Sequence, residues 1–240
     1  MSSIGRLLLL LCLSIFLSHC LGDGPLGNFC DSNTTVAENS SISANINHFL
    51  SDVVQEVKKG HFFAAGYGSG ESRIYGLAQC RGDVSLHNCS VCINDAASQI
   101  LQACPGQDDA GIWYDECFLR YDNNNFFGEV DTADNIEYAN VNNVKNPSYF
   151  KKSLQALFAR IDSDAIKPKN RGFGRAEMKL SSSLTLYGLE QCTGDLSQVA
   201  CSQCLSSAHE VFQGFCKDKE GCRVLYGSCY VRYEIYNFFF

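Results

Sequence analysis

The stretch YGLAQCRGDVSLHNCSVC, Tyr75 to Cys92, returns as YGLEQCTGDLSQVACSQC, Tyr187 to Cys204, identical at 11 of 18 positions and displaced by 112 residues. The repeat extends further. Cys104 and Cys117 recur as Cys216 and Cys229, and WYDECFLRYDNNNFF recurs as LYGSCYVRYEIYNFF, sharing Tyr114/Tyr226, Arg120/Arg232, Tyr121/Tyr233 and a closing Asn-Phe-Phe. A period of 112 is too long for a solenoid unit, so the chain is a duplicated domain. Residues 23–127 form copy one and 148–240 copy two, joined by the Asn- and Asp-rich stretch 128–147 as a linker.

Residues 1–22 have the layout of a cleaved signal peptide: Arg6 ahead of an apolar run from Leu7 to Leu17, then small and polar residues. That run is short for a membrane span, and no later segment reaches the length one requires. The expected product is secreted and extracellular. Of 14 cysteines, 12 lie beyond Cys20, an even number that reads as a disulfide framework in an oxidising compartment. The formal charge of −7 argues against nucleic acid as a partner.

Apolar residues at helical spacing predict a helix within Ala44–Lys59 (Ile46, Phe49, Leu50, Val53, Val57) and a matching one through Phe150, Leu154, Leu157, Phe158 and Ile161. Another helix follows each CxxC, through Ile93, Ala96, Ala97, Ile100 and Leu101 and through Leu205, Ala208, Val211 and Phe212. The aromatic and β-branched segments around Cys117 and Cys229 read as strands, as do Phe62–Gly70 and Phe173–Leu186. With no βαβ rhythm, the fold class is α+β, with an antiparallel sheet in each of two tandem domains.

Each copy carries C-x8-C-x2-C: Cys80, Cys89, Cys92 and Cys192, Cys201, Cys204. A zinc site would need converging imidazole or thiolate ligands, but the histidines beyond the leader (His48, His61, His87, His209) recur at no common offset. A redox pair would need an activated thiolate, whereas a third cysteine accompanies every CxxC. Structural disulfides suit the compartment better. No cofactor and no metal are expected.

These motifs, YGLxQC leading into C-x8-C-x2-C and then a cysteine-bearing strand ending in Arg-Tyr-Asp or Arg-Tyr-Glu, resemble the plant ginkbilobin-homologous or salt-stress-response/antifungal domain. Two tandem copies behind a signal peptide resemble the cysteine-rich repeat secretory proteins. The resemblance implies a small antiparallel sheet packed on two helices, and the pairs Cys30–Cys104, Cys80–Cys89 and Cys92–Cys117 in copy one. Copy two has no cysteine before its first helix but gains Cys222 where copy one has Ala110. The economical pairing there is Cys216–Cys222, beside Cys192–Cys201 and Cys204–Cys229, leaving its first helix tied by packing alone.

No catalytic constellation stands out, and an enzyme is not expected. Acidic pairs such as Asp108-Asp109 and Asp115-Glu116 have no equivalent in copy two and read as solvated charge. One member of the resembled family binds mannose through an Asn after the first cysteine, an Arg six residues before the last and a Glu five residues after it. Copy one has Asp31, Gly111 and Asp122 at these positions; copy two has Arg223 and Glu234 but lacks the Asn. Arg223 and Glu234 are the candidate sugar-binding pair. The sequons at Asn33 and Asn39 lie in a polar segment and are expected to be glycosylated, unlike Asn88, which precedes Cys89. Charge is uneven: 12 acidic and 5 basic residues from Cys30 to Phe127, against 9 acidic and 13 basic from Lys145 to Phe240. Such asymmetry suits docking of the copies on each other or attraction of an anionic partner such as pectin. The functional expectation is an apoplastic binding protein of defence or stress responses, recognising carbohydrate or wall glycan with antifungal effect. The alternative is a protein-interaction module partnering receptor-like kinase ectodomains.

Overall fold

The structure, a computed structural model, describes residues 24–31, 35–133 and 135–240. The signal-peptide residues 1–22 and the sequon residue Asn33 lie outside the described residues.

Copy one runs β1 (Gly27–Cys30), α1 (Ser41–Glu56), β2 (Phe62–Tyr67), β3 (Ile74–Cys80), α2 (Leu86–Ala103), β4 (Ala110–Trp113) and β5 (Cys117–Asp122). Copy two repeats the order with β6 (Asn135–Ala139), α3 (Pro147–Ala165), β7 (Phe173–Lys179), β8 (Thr185–Cys192), α4 (Gln198–Gln213), β9 (Cys222–Tyr226) and β10 (Cys229–Glu234). Each copy is a five-stranded antiparallel sheet, ordered β1-β4-β5-β3-β2 and β6-β9-β10-β8-β7, with two helices on one face. This is the expected α+β architecture.

The linker expectation is corrected by β6. Asn135–Ala139 lies inside 128–147 and pairs with β9 from Asn135↔Tyr226 to Ala139↔Cys222, so copy two's sheet begins well before residue 148. Its two-fold counterpart β1 pairs with β4, ending at Cys30↔Ala110. These registers explain the cysteine that seems to move: copy one has Cys–Ala across the ladder, and copy two has Ala–Cys. The staple from the end of the second helix (Cys104 or Cys216) reaches the edge strand in copy one and the neighbouring strand in copy two. Neither staple touches the first helix, which in both copies is held by packing; the contrast expected from sequence does not exist.

Each of the α-helices α1 to α4 starts at a side-chain cap. Ser40, Ser85 and Ser197 accept from the backbone N–H of Ser43, Asn88 and Ala200, and Asn146 accepts from Tyr149 ahead of Pro147. The CxxC spacing puts both sulfurs on one face of the second helix. Cys89 and Cys92 bond to Cys80 and Cys117, which sit opposite each other on β3 and β5, so a single helical turn is pinned to two adjacent strands. Cys201 and Cys204 do the same with Cys192 and Cys229.

Phe49, Val53, Ile93, Ile100 and Leu119 fill the core between helices and sheet in copy one; Leu157, Ile161, Leu205, Ala208 and Val231 do so in copy two. Gly76 and Gly188 let the first helix come close, since a Cβ at Gly76 would fall 2.4 Å from the Phe49 ring and one at Gly188 would fall 2.8 Å from Ile161. The helix-free faces of the two sheets meet each other. Leu77, Trp113 and Phe118 from copy one pack with Leu225, Tyr230 and Ile136 from copy two, giving a helix–sheet–sheet–helix stack.

Candidate functional site

Docking of the copies follows an approximate two-fold axis and uses residues of the doubled phrase. Gly82 N–H donates to Gln191 Oε1 (2.9 Å), and Gly194 N–H donates to Gln79 Oε1 (3.0 Å). The Phe173 ring lies over Gly82 and the Phe62 ring over Gly194, each 2.6 Å from where a Cβ would stand. Around this apolar centre the charge asymmetry is used. Asp83 pairs with Arg81 and with Arg175 of copy two, while Asp115 pairs with Arg223 (3.0 Å) and Arg232 (3.1 Å). Asp115 is therefore a partly exposed interface residue, not solvated charge, and Asp108 is buried and accepts from Asn123 Nδ2. Burial works to raise the Asp83 carboxyl, but the Arg81 hydrogen bond and charge, with Arg175 behind them, outweigh it and hold the group below its ordinary range. Gly227 stands where copy one has Asp115, and the space a side chain would occupy there is taken by Asp131, which pairs with Arg120 at 2.5 Å.

The sugar-candidate residues fall within this network. Arg223 on β9 faces Tyr138 on one side and Arg232 on the other, and its guanidinium is bonded to Asp115. Glu234 accepts from Arg232 Nε at 3.0 Å and lies directly against Gly221. Burial raises the Glu234 carboxyl, against the lowering pull of the Arg232 charge and hydrogen bond. Arg223 and Glu234 are not paired with each other, but both line a cavity of about 310 Å³ with Tyr138, Asn140 and Tyr236. At the equivalent place in copy one, the Phe29 ring occupies the space beside Gly111, 2.0 Å from where a Cβ would stand, and Asp122 is bonded to Arg120. Position 111 therefore supplies no cation, and the one beside Asp122 is Arg120, which is engaged by Asp122 and Asp131.

A larger opening runs between the copies on the side of β2 and β7. This groove, about 860 Å³, is lined by His61 and Phe62 from copy one and by Lys167, Lys169, Arg171 and Gln198 from copy two. Lys167 is held by Asp164 at 2.6 Å, whereas Lys169 and Arg171 are exposed and make no ion pair among the described residues. The N-terminus of α4 at Ser197 and Gln198 also opens onto it, adding the partial positive charge of a helix start. The basic run in KPKNRGFGRAEMK is visible in the sequence, but the groove is not, because its other wall comes from residues about a hundred positions earlier. Asn39 is exposed just before the Ser40 cap, and Asn88 is exposed in the first turn of α2.

Among the described residues, no helix is long and apolar enough to cross a membrane. The family model described as salt stress response/antifungal matches residues 29–124 and again 137–236. The chain is 44% identical over 226 residues to cysteine-rich repeat secretory protein 55 of Arabidopsis thaliana, covering 92% of this chain and 86% of the relative. It is 41% identical over 231 residues to the antimicrobial ginkbilobin-2-like protein of Castanea crenata, covering 96% and 94%. Among solved structures, the tandem DUF26 ectodomain of the Arabidopsis thaliana cysteine-rich receptor-like protein PDLP8 superposes with a TM-score of 0.78 at 28% identity, over 90% of this chain and all of that one. With both copies matched and each disulfide-stapled sheet in place, the chain belongs to the salt stress response/antifungal family as a tandem, cysteine-rich repeat member.

Proposed function

We propose that the protein is a secreted, apoplastic, non-enzymatic binding protein of plant defence or stress responses, and that it holds an acidic wall glycan in the groove between its two copies. The observation that carries this reading is the convergence of Lys167, Lys169, Arg171 and the α4 N-terminus on one opening of about 860 Å³. That volume is within the range of small-molecule sites, and its cations are of the kind that engage uronate carboxylates. The Arg223–Glu234 cavity is less available to a sugar, because both charges are already engaged by Asp115 and Arg232. The family description as antifungal and the relative named as antimicrobial support an antifungal role.

The test is calorimetric titration with uronate oligosaccharides and with neutral glucans. Acidic chains should bind, with affinity falling as salt rises, and Lys169→Ala with Arg171→Ala together should weaken binding about tenfold or more. Equal binding of neutral and acidic chains, or none of either, overturns the reading. The likeness to a receptor-like ectodomain favours a second one, a protein-interaction module. A blank glycan titration together with specific capture of a receptor-kinase ectodomain would establish that alternative.

A further inference from the structure

Copy two carries a polar cluster, built around one buried acid, that copy one lacks. Asp162 on α3, Glu190 on β8 and His209 on α4 bring one ligand atom each to within 4.8 Å of one another. Glu190 is completely buried, and neither of its carboxylate oxygens accepts a well-formed hydrogen bond among the described residues. Its Oε2 lies 3.2 Å from His209 Nε2, and that nitrogen lies 3.9 Å from Asp162 Oδ1. The imidazole packs in a triangle with the Phe158 and Phe212 rings, at 4.9 and 5.7 Å from them. The counterparts in copy one are all apolar. Ala78 and Ala97 stand 112 positions before Glu190 and His209. Val54 stands for Asp162, because the buried Ile46, Phe49, Leu50 and Val53 of α1 match Leu154, Leu157, Phe158 and Ile161 of α3 at one constant offset. The fold therefore does not need these polar groups, and a buried carboxylate whose near neighbours are an imidazole and a second acid is costly unless something compensates it.

We propose that Asp162, Glu190 and His209 form a divalent-metal site of the zinc class. Four-coordinate zinc with nitrogen and oxygen ligands at about 2.0–2.2 Å places its ligand atoms about 3.3–3.6 Å apart, and the observed separations of 3.2 and 3.9 Å bracket that range. Two carboxylates neutralise a dication, which removes the penalty on Glu190. An imidazole ligand selects zinc, cobalt or a similar transition ion over calcium and magnesium, which take oxygen ligands. Glu190 lies at the back of the site. Asp162 and His209 line a cavity of about 240 Å³ that also carries Lys151, Gln155 and Lys217. The metal enters from that side and keeps one coordination position facing it, the arrangement of a site that takes a ligand, not one that is fully closed. The site is independent of the groove proposed for glycan, which is lined by other residues.

The test uses the full mature chain stripped with chelator and titrated with Zn²⁺ and with Co²⁺. Zinc at a hundredfold excess over Kd should raise Tm by about 5–10 °C, and cobalt should give the visible absorption of a tetrahedral site. His209→Ala should weaken zinc binding by more than about a hundredfold, since even loss of a supporting group around a metal costs 10–100-fold. The variant Asp162→Val/Glu190→Ala/His209→Ala copies the residues of copy one, so it should fold, lose the zinc-dependent Tm shift, and keep His48, His61 and His87 as a control for adventitious binding. The inference is overturned by a stripped parent that shows neither shift nor cobalt band, or by a triple variant that binds zinc as tightly as the parent.

Discussion

Asp115→Ala is the sharpest probe of how the two copies are held together. The carboxylate, 31% exposed, is shared by Arg223 at 3.0 Å, Arg232 at 3.1 Å and Arg81 at 3.9 Å. Its removal does not strand all three cations. Arg232 retains Glu234 and Tyr236, and Arg81 retains Asp83. Arg223, only 12% exposed, loses the one acid to which it is bonded among the described residues. Breaking a fully buried pair costs about 3–5 kcal/mol. With one affected cation and partial solvent access, the expected loss is about 2–3 kcal/mol, or about 4–12 °C in Tm for a chain of this size. The assay is built in: Trp113, the single tryptophan, is buried at the interface and its Nε1 donates to Tyr226 O across it, so its emission reports docking. Unfolding followed by Trp113 emission should shift in Asp115→Ala. Arg223→Ala added to it should cost less than it does in the parent, with a coupling of about 1–2 kcal/mol. A loss below about 0.5 kcal/mol, or simple additivity of the two changes, would refute the claim that Asp115 locks the interface.

The remaining expectations are narrower. Replacing Cys30 and Cys104 by Ala should destabilise by about 4.5 kcal/mol and replacing Cys216 and Cys222 by about 2 kcal/mol, because loop-closure entropy follows loop length and these bonds span 74 and 6 residues; equal losses in denaturant melts would contradict this. The depressed Asp83 carboxyl contributes stability that is present above its ordinary value of 3.8 and is lost as pH falls through its lower folded value. Trp113 emission should therefore report loosening of the interface only below about pH 4, and Asp83→Asn should flatten that part of the profile; an unchanged profile counts against the assignment. Glycopeptide mass spectrometry should find sugar on Asn33 and Asn39, with Asn88 as the principal site being the contrary result. Arg223→Ala should leave uronate binding unchanged while destabilising the interface; a tenfold loss of glycan affinity in a folded variant would instead assign the sugar to the Arg223–Glu234 cavity.

The helices and the disulfide-bearing strands were legible in the sequence because each has a local signal: periodic apolar residues, a Ser or Asn cap, and cysteines that cannot point elsewhere. The short edge strands β1 and β6 were not. Four or five residues are too few to stand out: Asn-Ile-Glu-Tyr-Ala alternates polar and apolar, but inside an Asn- and Asp-rich stretch, and pairing with the edges of β4 and β9 makes these segments strands. The interface acids were missed for a related reason. Asp115 looks like surface charge until a second copy places two arginines on it. The cluster of Asp162, Glu190 and His209 is spread over three elements, and nothing in their spacing marks it.

The doubled phrase can now be understood position by position. In Tyr-Gly-Leu-x-Gln-Cys-x-Gly-Asp-x-Ser, the first glycine admits its own copy's helix, the cysteine staples strand to helix, and the serine caps that helix. The glutamine and the second glycine serve the other copy: Gln79 meets Gly194 and Gln191 meets Gly82, each glycine lying beneath the partner copy's phenylalanine. The aspartates finish the contact, Asp83 on Arg175 and Asp195 on the backbone N–H of Gly128 in the connecting segment. A contact that uses the same residues from both sides, as an isologous dimer interface does, ties the two copies of this phrase to each other, because a change in either one spoils a contact with the other. Divergence is confined to the phrase's variable positions and to the segments outside it: Glu190 stands at the first variable position, where copy one has Ala78, and Asp162, His209 and the groove cations lie outside the phrase, all in copy two.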